Sequence, residues 1–588
     1  MIGGTGGCES DRMSDEPRWV QRFRAPNLPV LRWAPDAPDR AVYVSNASGA
    51  LQVHTWDRAT DTHHQLTDRP AGTTLAVIDR DGSEVWWFAD TAGDERGRWM
   101  RQPFDGATPA VPATPELGPG WPVGLVLGRS TQAVGLSTEE GVTIHVGGRL
   151  LHSSRVDASV GALSVDETLL AVEHAEYADA RHRAVRVLRV ADGTVVGELV
   201  DEHGLRVVDF APDGTRLLLT RDRDDRPGPL IWDPVTGAEH APEVDLPGEV
   251  FADWYPDGRA LLLRHRHHAR DELYRHDLDT GELTRLDTPR GTIMAAAVRP
   301  DGTVEYRWSS AAHAPAIRRL DGTVVLASEA PGSVPLTDAW VGDVHALIAR
   351  PEGPGPYPTV FLLHGGPDAQ DIDQFYPGRA AYVDAGYCVI HVNYRGSLGY
   401  GTAWRDALIG RPGLPELEDT AAVYDWAVAE GIVDPARCVI GGASWGGYLT
   451  LLGLGTQPDR WAAGLAIVPI GDVVGLWEDE MEPVREYDQA LFGGTPHEIP
   501  EVWARSSPIT YVEHVRVPVL ITVGENDPRC PARQVDTYVA RLDALGKHYE
   551  LHRFDAGHGS VVVAERIADQ LRELDFLARH LPTVPAAP

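Results

Sequence analysis

The chain has 588 residues, of which 43% are hydrophobic and 24% are charged, and its formal net charge is -33 at pH 7. These proportions are ordinary for a globular protein, and no apolar run approaches the roughly 18 residues that a membrane-spanning helix needs. The negative charge argues against nucleic acid and anionic lipid, so we expect neither nucleic-acid nor membrane binding. It favours a cationic ligand, although solubility alone also explains it.

Two features of the sequence bear on the cellular compartment. Residues 1–15 are rich in Gly, Ser and Asp and lack the apolar stretch of a secretory signal, so we expect residues 1–26 to be a tail and a short N-terminal segment. Four cysteines, Cys8, Cys388, Cys438 and Cys530, are too few for a disulfide scaffold of this length and fit a reducing environment. Together they predict a cytoplasmic protein.

A repeat with a period near 44 residues occupies the first half of the chain. Pro-Asp-Gly turns at residues 211–214, 255–258 and 299–302 each lie between short apolar strands. Degenerate copies occur earlier, and second hairpin turns lie between the copies at residues 192–193, 236–237, 280–281 and 321–322. Four strands per unit at this period are typical of a β-propeller. We predict a seven-bladed β-propeller over residues 27–328.

The pattern changes after about residue 328, where strands begin to alternate with helices. Predicted strands lie at 359–363, 388–393, 439–440, 463–470, 517–523 and 549–553, and predicted helices at 380–385, 417–430 and 561–580. A strand pair is also expected within residues 341–348. Such alternation is typical of a doubly wound, mostly parallel sheet with helices on both faces. We predict an α/β-hydrolase domain over residues 329–588.

The stretch Gly-Ala-Ser-Trp-Gly at residues 442–446 lies where a predicted strand meets a predicted helix. A turn tight enough to expose Ser444 leaves no room for a Cβ atom two residues to either side, which requires glycine there. Ser444 then stands at the N-terminus of the helix, whose free N–H groups favour negative charge. The sequence therefore predicts Ser444 as a nucleophile.

A base and an orienting acid follow Ser444 in the chain order that an α/β-hydrolase uses. Asp527 follows the predicted strand at 517–523, and His558 follows the one at 549–553. Both residues lie in loops at the carboxyl ends of strands, where open α/β sheets build their sites. Asp555 is a rival acid, but three residues before His558 it is better explained as a turn residue.

Upstream, His-Gly-Gly-Pro at residues 364–367 follows the predicted strand at 359–363. Acyl transfer creates an oxyanion that needs N–H donors already aimed at it, and we expect the backbone N–H groups of Gly366 and Trp445 to supply them. The alternative is an ordinary Gly-Pro turn. We interpret His364 as a structural hydrogen-bonding residue rather than a second base.

Four stretches together resemble the prolyl oligopeptidase family of serine peptidases: residues 393–401 (Asn-Tyr-Arg-Gly-Ser-Leu-Gly-Tyr-Gly), the 442–446 turn, residues 524–531 and Gly-His-Gly at 557–559. The 364–367 sequence is most similar to the acylaminoacyl-peptidase and bacterial aminopeptidase branch, which includes puromycin-hydrolysing enzymes. The resemblance in motif covers about residues 358–581, and the propeller repeats extend it. It implies a propeller capping an α/β-hydrolase, a Ser444–Asp527–His558 triad, and short-peptide substrates, because the propeller in that family screens the site from folded proteins.

The leading hypothesis is a serine aminopeptidase that cleaves the amide bond after the N-terminal residue of short peptides or aminoacyl-amides, through an acyl-enzyme on Ser444. An acylaminoacyl-peptidase, a dipeptidyl-peptidase or a carboxylesterase with the same triad is the alternative. The third hypothesis is a propeller scaffold with an inactive hydrolase domain. The chemistry requires no metal or cofactor, and the sequence leaves the oligomeric state open.

An exopeptidase must hold a free ammonium group, and a carboxylate is its natural partner. The acidic stretch at residues 477–482 contains Glu478, Glu480 and Glu482 as candidate anchors, and Glu478 and Glu482 would share one face of a single helix. A solvated acidic surface is the alternative. Glu173 and Glu176 in the fourth propeller unit could serve dipeptidyl release, but their sequence context does not match that branch.

His265, His267 and His268 form the one histidine-rich stretch. In a strand, residues two apart share a face, so His265 and His267 could meet. No Cys or carboxylate at ligand spacing supports a metal site, and we interpret the stretch as a solvated blade edge.

Overall fold

A computed structural model describes residues 16–28, 30–223 and 225–581. The tail expected at residues 1–15 therefore lies outside the described residues. The first described helix, α1 (Arg18–Arg24), precedes the propeller and packs against the second domain. Its Arg22 pairs with Asp384 at 2.5 Å, so the N-terminal segment is bound to the second domain.

Seven four-stranded antiparallel sheets follow, each built from consecutive strands. The strands of blades 1 to 4 are β1 (Arg32–Ala34), β2 (Ala37–Ser45), β3 (Gln52–Asp57), β4 (Thr62–Gln65); β5 (Ala76–Ile78), β6 (Glu84–Asp90), β7 (Gly97–Pro103), β8 (Val111–Pro112); β9 (Trp121–Leu127), β10 (Gln132–Thr138), β11 (Gly141–Val146), β12 (Arg149–Ser154); and β13 (Ala158–Leu163), β14 (Leu169–His174), β15 (Ala184–Arg189), β16 (Val195–Leu199). Those of blades 5 to 7 are β17 (Leu205–Phe210), β18 (Leu217–Arg223), β19 (Arg226–Trp232), β20 (Glu239–His240); β21 (Glu249–Trp254), β22 (Ala260–His267), β23 (Arg270–Asp277), β24 (Leu283–Leu286); and β25 (Thr292–Val298), β26 (Val304–Ser309), β27 (Ala316–Arg319), β28 (Val324–Ala327). The predicted seven-bladed propeller is confirmed.

The repeated Pro-Asp-Gly turns connect the first and second strands of their blades. At the turn between β21 and β22, the Gly258 N–H donates to Tyr255 O at 2.9 Å. The side chain of Asp257 accepts from the Arg259 N–H at 3.0 Å. The Asp257 side chain thus stabilises the turn by a hydrogen bond to its backbone, and Gly258 adopts the positive φ of 66° that the turn requires.

The ring closes between blade 1 and blade 7 through side chains, since each blade takes its four strands from one stretch of chain. Arg58 in blade 1 donates to the buried Glu305 of blade 7 at 3.1 Å. The guanidinium of Arg299 lies 3.8 Å from the ring centre of Trp33. These contacts replace the strand exchange that would otherwise fasten the first blade to the last.

The second domain contains one eight-stranded sheet in the order β29-β30-β32-β31-β33-β34-β35-β36. Its strands are β29 (Thr337–Val341), β30 (Val344–Ala349), β31 (Tyr357–Leu363), β32 (Cys388–Asn393), β33 (Val433–Ala443), β34 (Ala463–Ile467), β35 (Val519–Gly524) and β36 (Tyr549–Phe554). The pairs from β32 to β36 are parallel, whereas β29 and β30 are antiparallel. The predicted α/β-hydrolase fold is confirmed.

The helices of this domain are α2 (Pro377–Asp384), α3 (Thr402–Arg405), α4 (Leu414–Ala429), α5 (Trp445–Thr456), α6 (Val473–Asp479), α7 (Glu482–Phe492), α8 (Pro500–Ser506), α9 (Ala532–Ala544) and α10 (Val563–His580). Short 3₁₀ turns occupy Asp406–Leu408 and Pro508–His514. Among the described residues, no helix combines the length and the apolar character that crossing a membrane requires.

Both faces of the parallel sheet are buried. On β31, β32 and β33, the side chains of Phe361, Ile390 and Ile440 join the core on one face. Their neighbours Val360 and Val439 join the core on the other face. Successive side chains of a strand point to opposite faces, so these strands have continuous apolar sequences. The cysteines within the described residues, Cys388, Cys438 and Cys530, are buried and free.

Candidate active site

Ser444 lies at the sharp turn between β33 and α5. Its backbone has φ 58° and ψ -120°, a strained conformation for a residue with a side chain. A Cβ atom at Gly446 would lie 2.1 Å from the Leu363 carbonyl oxygen, and one at Gly442 would lie 2.4 Å from the same atom. Both glycines are therefore required by the close approach of β31, as the sequence predicts.

Asp527 and His558 form a pair at the carboxyl ends of β35 and β36. The His558 Nδ1 lies 2.7 Å from one carboxylate oxygen of Asp527. The other oxygen accepts the backbone N–H groups of Arg529 and Cys530, each at 2.9 Å. Asp527 is 5% exposed, so its orientation is fixed by these contacts. The rival Asp555 instead accepts from Asn526 at 2.9 Å.

The Ser444 hydroxyl lies against the buried Cys530. Burial raises the pKa of the Cys530 thiol well above its usual value, and the neighbouring Asp527 carboxylate adds to this effect, so the thiol stays protonated. Within the part of the chain that the structure describes, Ser444 and His558 do not hydrogen-bond to each other. Catalytic hydrogen bonds commonly shorten only when substrate is present.

The two expected oxyanion donors belong to residues close to Ser444. Gly366 and Trp445 line the same cavity as Ser444. Among the described residues, neither backbone N–H donates to a protein acceptor. Trp445 is held from the other side, since its indole N–H donates to the buried Glu416 at 3.2 Å.

His364 has the structural role that the sequence suggests. Its Nε2 lies 2.8 Å from the Ser397 hydroxyl, and its ring stacks on Tyr394 with ring centres 4.2 Å apart. Tyr394 in turn donates to the His364 carbonyl at 2.7 Å. These contacts fix the turn that carries Gly366.

The cavity in front of Ser444 has a volume of about 430 Å³ and lies between the two domains. The propeller contributes Glu95, Ala180 and Arg183 to its wall. The hydrolase domain contributes Ser444, Trp445 and the residues Gly366, Asp368, Ile470, Leu476, Met481, Pro483, Val484, Tyr487, Asp488, Arg529 and Cys530. A ligand that reaches Ser444 therefore contacts both domains.

Arg181 in the loop between β14 and β15 is a propeller side chain that contacts the hydrolase domain. It pairs with Asp368 at 3.2 Å and with Asp406 at 3.0 Å. Its guanidinium also lies 5.2 Å from the ring centre of Tyr487 and donates to the Tyr487 hydroxyl at 3.0 Å. Since Asp368 and Tyr487 line the cavity, Arg181 connects the propeller directly to the cavity wall.

The acidic stretch at 477–482 is not one helix. α6 ends at Asp479 and α7 begins at Glu482, so the expectation that Glu478 and Glu482 share one helical face is wrong. Glu478 pairs with Arg533 at 2.7 Å on the exposed surface, and Glu482 pairs with Arg485 at 2.8 Å. Neither lines the cavity. Glu480, between the helices, is 2% exposed.

Asp488 is a cavity residue that the sequence reasoning missed. It lies on α7, is 5% exposed, and contacts Glu480. A clue was available, because Val484, Asp488 and Leu491 follow helical spacing, so a carboxylate occupies the apolar face of the helix.

The paired glutamates of the fourth blade are already neutralised. Glu173 pairs with Arg183 at 3.2 Å, and Glu176 pairs with Arg186 at 2.7 Å. Glu173 also accepts the Val207 N–H at 2.7 Å. Neither carboxylate is free to hold a substrate ammonium.

Potential metal ligands converge at one place in the described ranges. One ligand atom each from Asp527, Cys530 and His558 lies within 4.8 Å of the others, whereas the stretch from His265 to His268 forms no such group. The predicted solvated blade edge holds only in part, because His265 is 6% exposed, whereas His268 is exposed and packs on Trp340 of the second domain with ring centres 4.8 Å apart.

Comparison with known proteins gives a family match over the second domain. Residues 374–583 match the model of the prolyl oligopeptidase family. The chain is 27% identical over 389 residues to the dipeptidyl aminopeptidase BIII of Pseudoxanthomonas mexicana. The aligned region covers 60% of this chain and 53% of that protein. The chain is 32% identical over 196 residues to an acylamino-acid-releasing enzyme of Arabidopsis thaliana, which covers 32% of this chain and 26% of that protein. The chain thus spans between about a quarter and about half of the length of these curated relatives.

The fold is similar to solved structures over nearly the whole chain. A puromycin-hydrolysing peptidase of Mycobacterium tuberculosis superposes with a TM-score of 0.80 at 20% identity, covering 97% of this chain and 96% of that chain. A puromycin hydrolase superposes with a TM-score of 0.80 at 21% identity, covering 97% and 98%. At these identities the likeness shows the shared two-domain fold.

Proposed function

We propose that this chain, which carries a domain of the prolyl oligopeptidase family, is a serine peptidase that hydrolyses the amide bond after the N-terminal residue of short peptides or aminoacyl-amides. The observation that supports it best is the Asp527–His558 pair, 2.7 Å apart, beside a strained serine turn with two free N–H donors. The names of the puromycin-hydrolysing neighbours and of the curated peptidases support hydrolysis of peptides or related amides, and the release of a single free residue is the finer part of the proposal.

In the proposed mechanism, His558 takes the Ser444 proton as the hydroxyl oxygen attacks the substrate carbonyl carbon. Asp527 holds the imidazole in the tautomer whose free nitrogen faces the serine, and stabilises the imidazolium that forms. The N–H groups of Gly366 and Trp445 bind the oxyanion. The amine then leaves with the proton from His558, and a water activated by His558 hydrolyses the acyl-enzyme.

The restriction to short substrates rests on the walls of the cavity. Its volume of about 430 Å³ is closed on one side by the propeller residues Glu95 and Arg183. A folded protein cannot place a backbone carbonyl in a space of this size, whereas one or two residues fit.

A second candidate, release of an acylated N-terminal residue, is favoured by Arg183. This guanidinium lines the propeller side of the cavity, where it would donate to an acyl carbonyl. Because it already pairs with Asp157 and Glu173, it gives no strong repulsion of a free ammonium. Dipeptidyl release has weaker support, since Glu173 and Glu176 are each paired with arginine.

The test compares wild type with Ser444→Ala on matched arylamides with a free, an acetylated or a dipeptidyl amino end. We expect wild type to prefer the free amine and the variant to lose at least about 10³-fold in kcat/KM. Preference for the acetylated substrate would establish the second candidate instead. Equal hydrolysis by the variant would rule out Ser444 as nucleophile, and failure of a fluorophosphonate to label wild-type Ser444 would support the inactive scaffold.

A further inference from the structure

Two buried carboxyl groups meet on the hydrolase side of the active-site cavity. Glu480 lies in the break between α6 and α7 and is 2% exposed, and Asp488 lies on α7 and is 5% exposed. Asp488 lines the cavity together with Ser444. Both carboxylate oxygens of Glu480 are fully buried, and among the described residues no group other than the Asp488 carboxyl is placed to hydrogen-bond with them. Burying two carboxyl groups with no other donor costs folding free energy.

The nearest arginines do not neutralise this pair because they are engaged elsewhere. Arg181 divides its charge between Asp368 and Asp406. Arg485 donates to the Glu482 carboxylate at 2.8 Å and to the Glu480 backbone carbonyl at 2.9 Å, not to the Glu480 carboxylate. The pair therefore retains an unsatisfied capacity to accept hydrogen bonds.

The protonation of the pair reflects this isolation. Burial raises the pKa of Asp488 to about 7. Burial and the Asp488 charge raise the pKa of Glu480 well above its usual value. Near neutral pH the two groups thus share a proton, which an incoming cation would displace.

The walls around Asp488 are suited to an aliphatic stem. Leu476, Met481 and Val484 line the cavity between α6 and α7, and Trp445 and Ile470 line it beside Ser444. Apolar side chains beside a buried carboxylate suit the long methylene chain and terminal charge of lysine and arginine.

We propose that Asp488, supported by Glu480, binds the cationic side chain of a lysine or arginine residue whose carbonyl Ser444 attacks. This inference rests on the proposed function and assigns its substrate class. The net charge of -33 favours the approach of such substrates. The α-ammonium of the substrate is the other cation that could reach the pair, and the experiment separates the two.

The kinetic test uses arylamides of lysine and norleucine, and of arginine and citrulline, each with a free and an acetylated α-amine. Norleucine and citrulline keep the shape and lose the charge. We expect wild type to prefer each charged member by about 10- to 100-fold in kcat/KM, with or without acetylation. Asp488→Asn should abolish the lysine/norleucine and arginine/citrulline ratios of kcat/KM, and Glu480→Gln should reduce them. Glu478→Gln, an exposed neighbour, is the matched control.

Equal rates for charged and neutral members in wild type would overturn the proposal. So would a loss in Asp488→Asn that is the same for lysine and norleucine and disappears on acetylation, because the bound cation would then be the α-ammonium. Hydrolysis of the norleucine substrate by wild type but not by Ser444→Ala tests the proposed function alone. The proposed function can therefore hold even if the binding of a cationic side chain is disproved.

A binding measurement tests the site without turnover. Benzamidine carries a cation and no α-amine, and benzamide is its neutral counterpart. We expect benzamidine, but not benzamide, to raise the melting temperature of Ser444→Ala and to lose this effect in Ser444→Ala/Asp488→Asn. Equal stabilisation of the two proteins would overturn the proposal even if no arylamide is hydrolysed.

Discussion

Glu416 is a fully buried carboxyl group that supports the serine turn from behind. One of its oxygens accepts the Trp445 indole N–H at 3.2 Å, and the other accepts the Gly413 backbone N–H at 2.8 Å. Burial raises the pKa of Glu416 to about 8, although these hydrogen bonds oppose the shift. The side chain thus joins the start of α4 to the residue whose N–H is the proposed oxyanion donor.

Replacing Glu416 by alanine should destabilise the hydrolase domain by about 2–4 kcal/mol, because it leaves a cavity and two buried donors without partners. We also expect kcat to fall more than KM rises, since the Trp445 N–H loses its orientation. Glu416→Gln keeps the side-chain volume and one hydrogen-bond acceptor. Its stability and its kcat should therefore lie between those of the alanine variant and of wild type. Denaturant unfolding and steady-state kinetics measure the two effects, and a stable but fully active alanine variant would contradict the role.

The sequence predicts candidate site residues where they belong to a local pattern. Ser444 has glycines at fixed positions around it, Asp527 follows the buried strand β35, and His558 follows the half-buried strand β36. Asp488 has no such context. Its importance arises because α7 turns that carboxylate towards Glu480 and the cavity, which depends on packing between helices rather than on neighbours in the chain.

The turn between β6 and β7 in blade 2 contacts the loops that carry the proposed triad residues Asp527 and His558. Glu95 in this turn pairs with Arg529, two residues after Asp527, at 2.8 Å. The carbonyl of Ala92 accepts from Asn526 at 3.3 Å. A Cβ atom at Gly93 would lie 2.6 Å from the backbone nitrogen of Gly557, the residue before His558. The backbone of the blade 2 turn is therefore in direct contact with the loop that carries His558.

Because the Glu95–Arg529 pair is partly exposed, a double-mutant cycle should give a coupling of only about 0.5–1 kcal/mol. We expect Glu95→Ala and Arg529→Ala each to lower kcat/KM a few-fold and their effects to be less than additive. The cycle is measured as kcat/KM in low and in high salt, where the coupling should shrink. Fully additive losses in kcat/KM would show that the Glu95–Arg529 ion pair does not help to position the loops that carry Asp527 and His558.

At the level of elements, strands buried on both faces were the easiest to predict. β32 occupies residues 388–393 as expected, because its whole length is apolar apart from His391 and Asn393. β33 begins at Val433, earlier than expected. Its charged residues Asp434 and Arg437 do not look like strand residues in the sequence, but they pair with each other at 2.7 Å. α6 and α7 were merged in the expectation, although Pro483 in the first turn of α7 favours a helix start there.

The two domains contact each other through charged groups that lie far apart in the chain. Arg405 of the hydrolase domain pairs with Asp222 of blade 5 at 2.8 Å. The Gly399 N–H donates to the buried Glu249 of blade 6 at 2.7 Å. The period of the blades predicts the ring, and the strand–helix alternation predicts the sheet, but neither contains information on how the two surfaces meet. That docking became visible only in three dimensions.

His182 of blade 4 makes this docking dependent on pH. A hydrogen bond to Asp179 and the nearby Asp406 carboxylate across the domain boundary raise the pKa of His182 to about 9. Its Nδ1 lies 3.0 Å from Asp179, and its Nε2 lies 4.0 Å from Asp406. Asp406 is also held by Arg181 and Arg405, which help to lower its pKa against the effect of burial. The charged imidazolium therefore faces carboxylates that remain ionised.

The folded-state pKa of His182 lies above the value near 6.5 of an unfolded histidine, so the stabilisation is complete below about pH 6.5 and is lost as pH rises through about 9. Since the ring is only half-buried, we expect about 1 kcal/mol. Other buried acids also titrate in this range, so the comparison is between wild type and His182→Gln. Wild type should melt at a higher temperature at pH 6, and the gap should close by pH 10. A gap that stays constant across this range would mean that His182 acts through its shape rather than its charge.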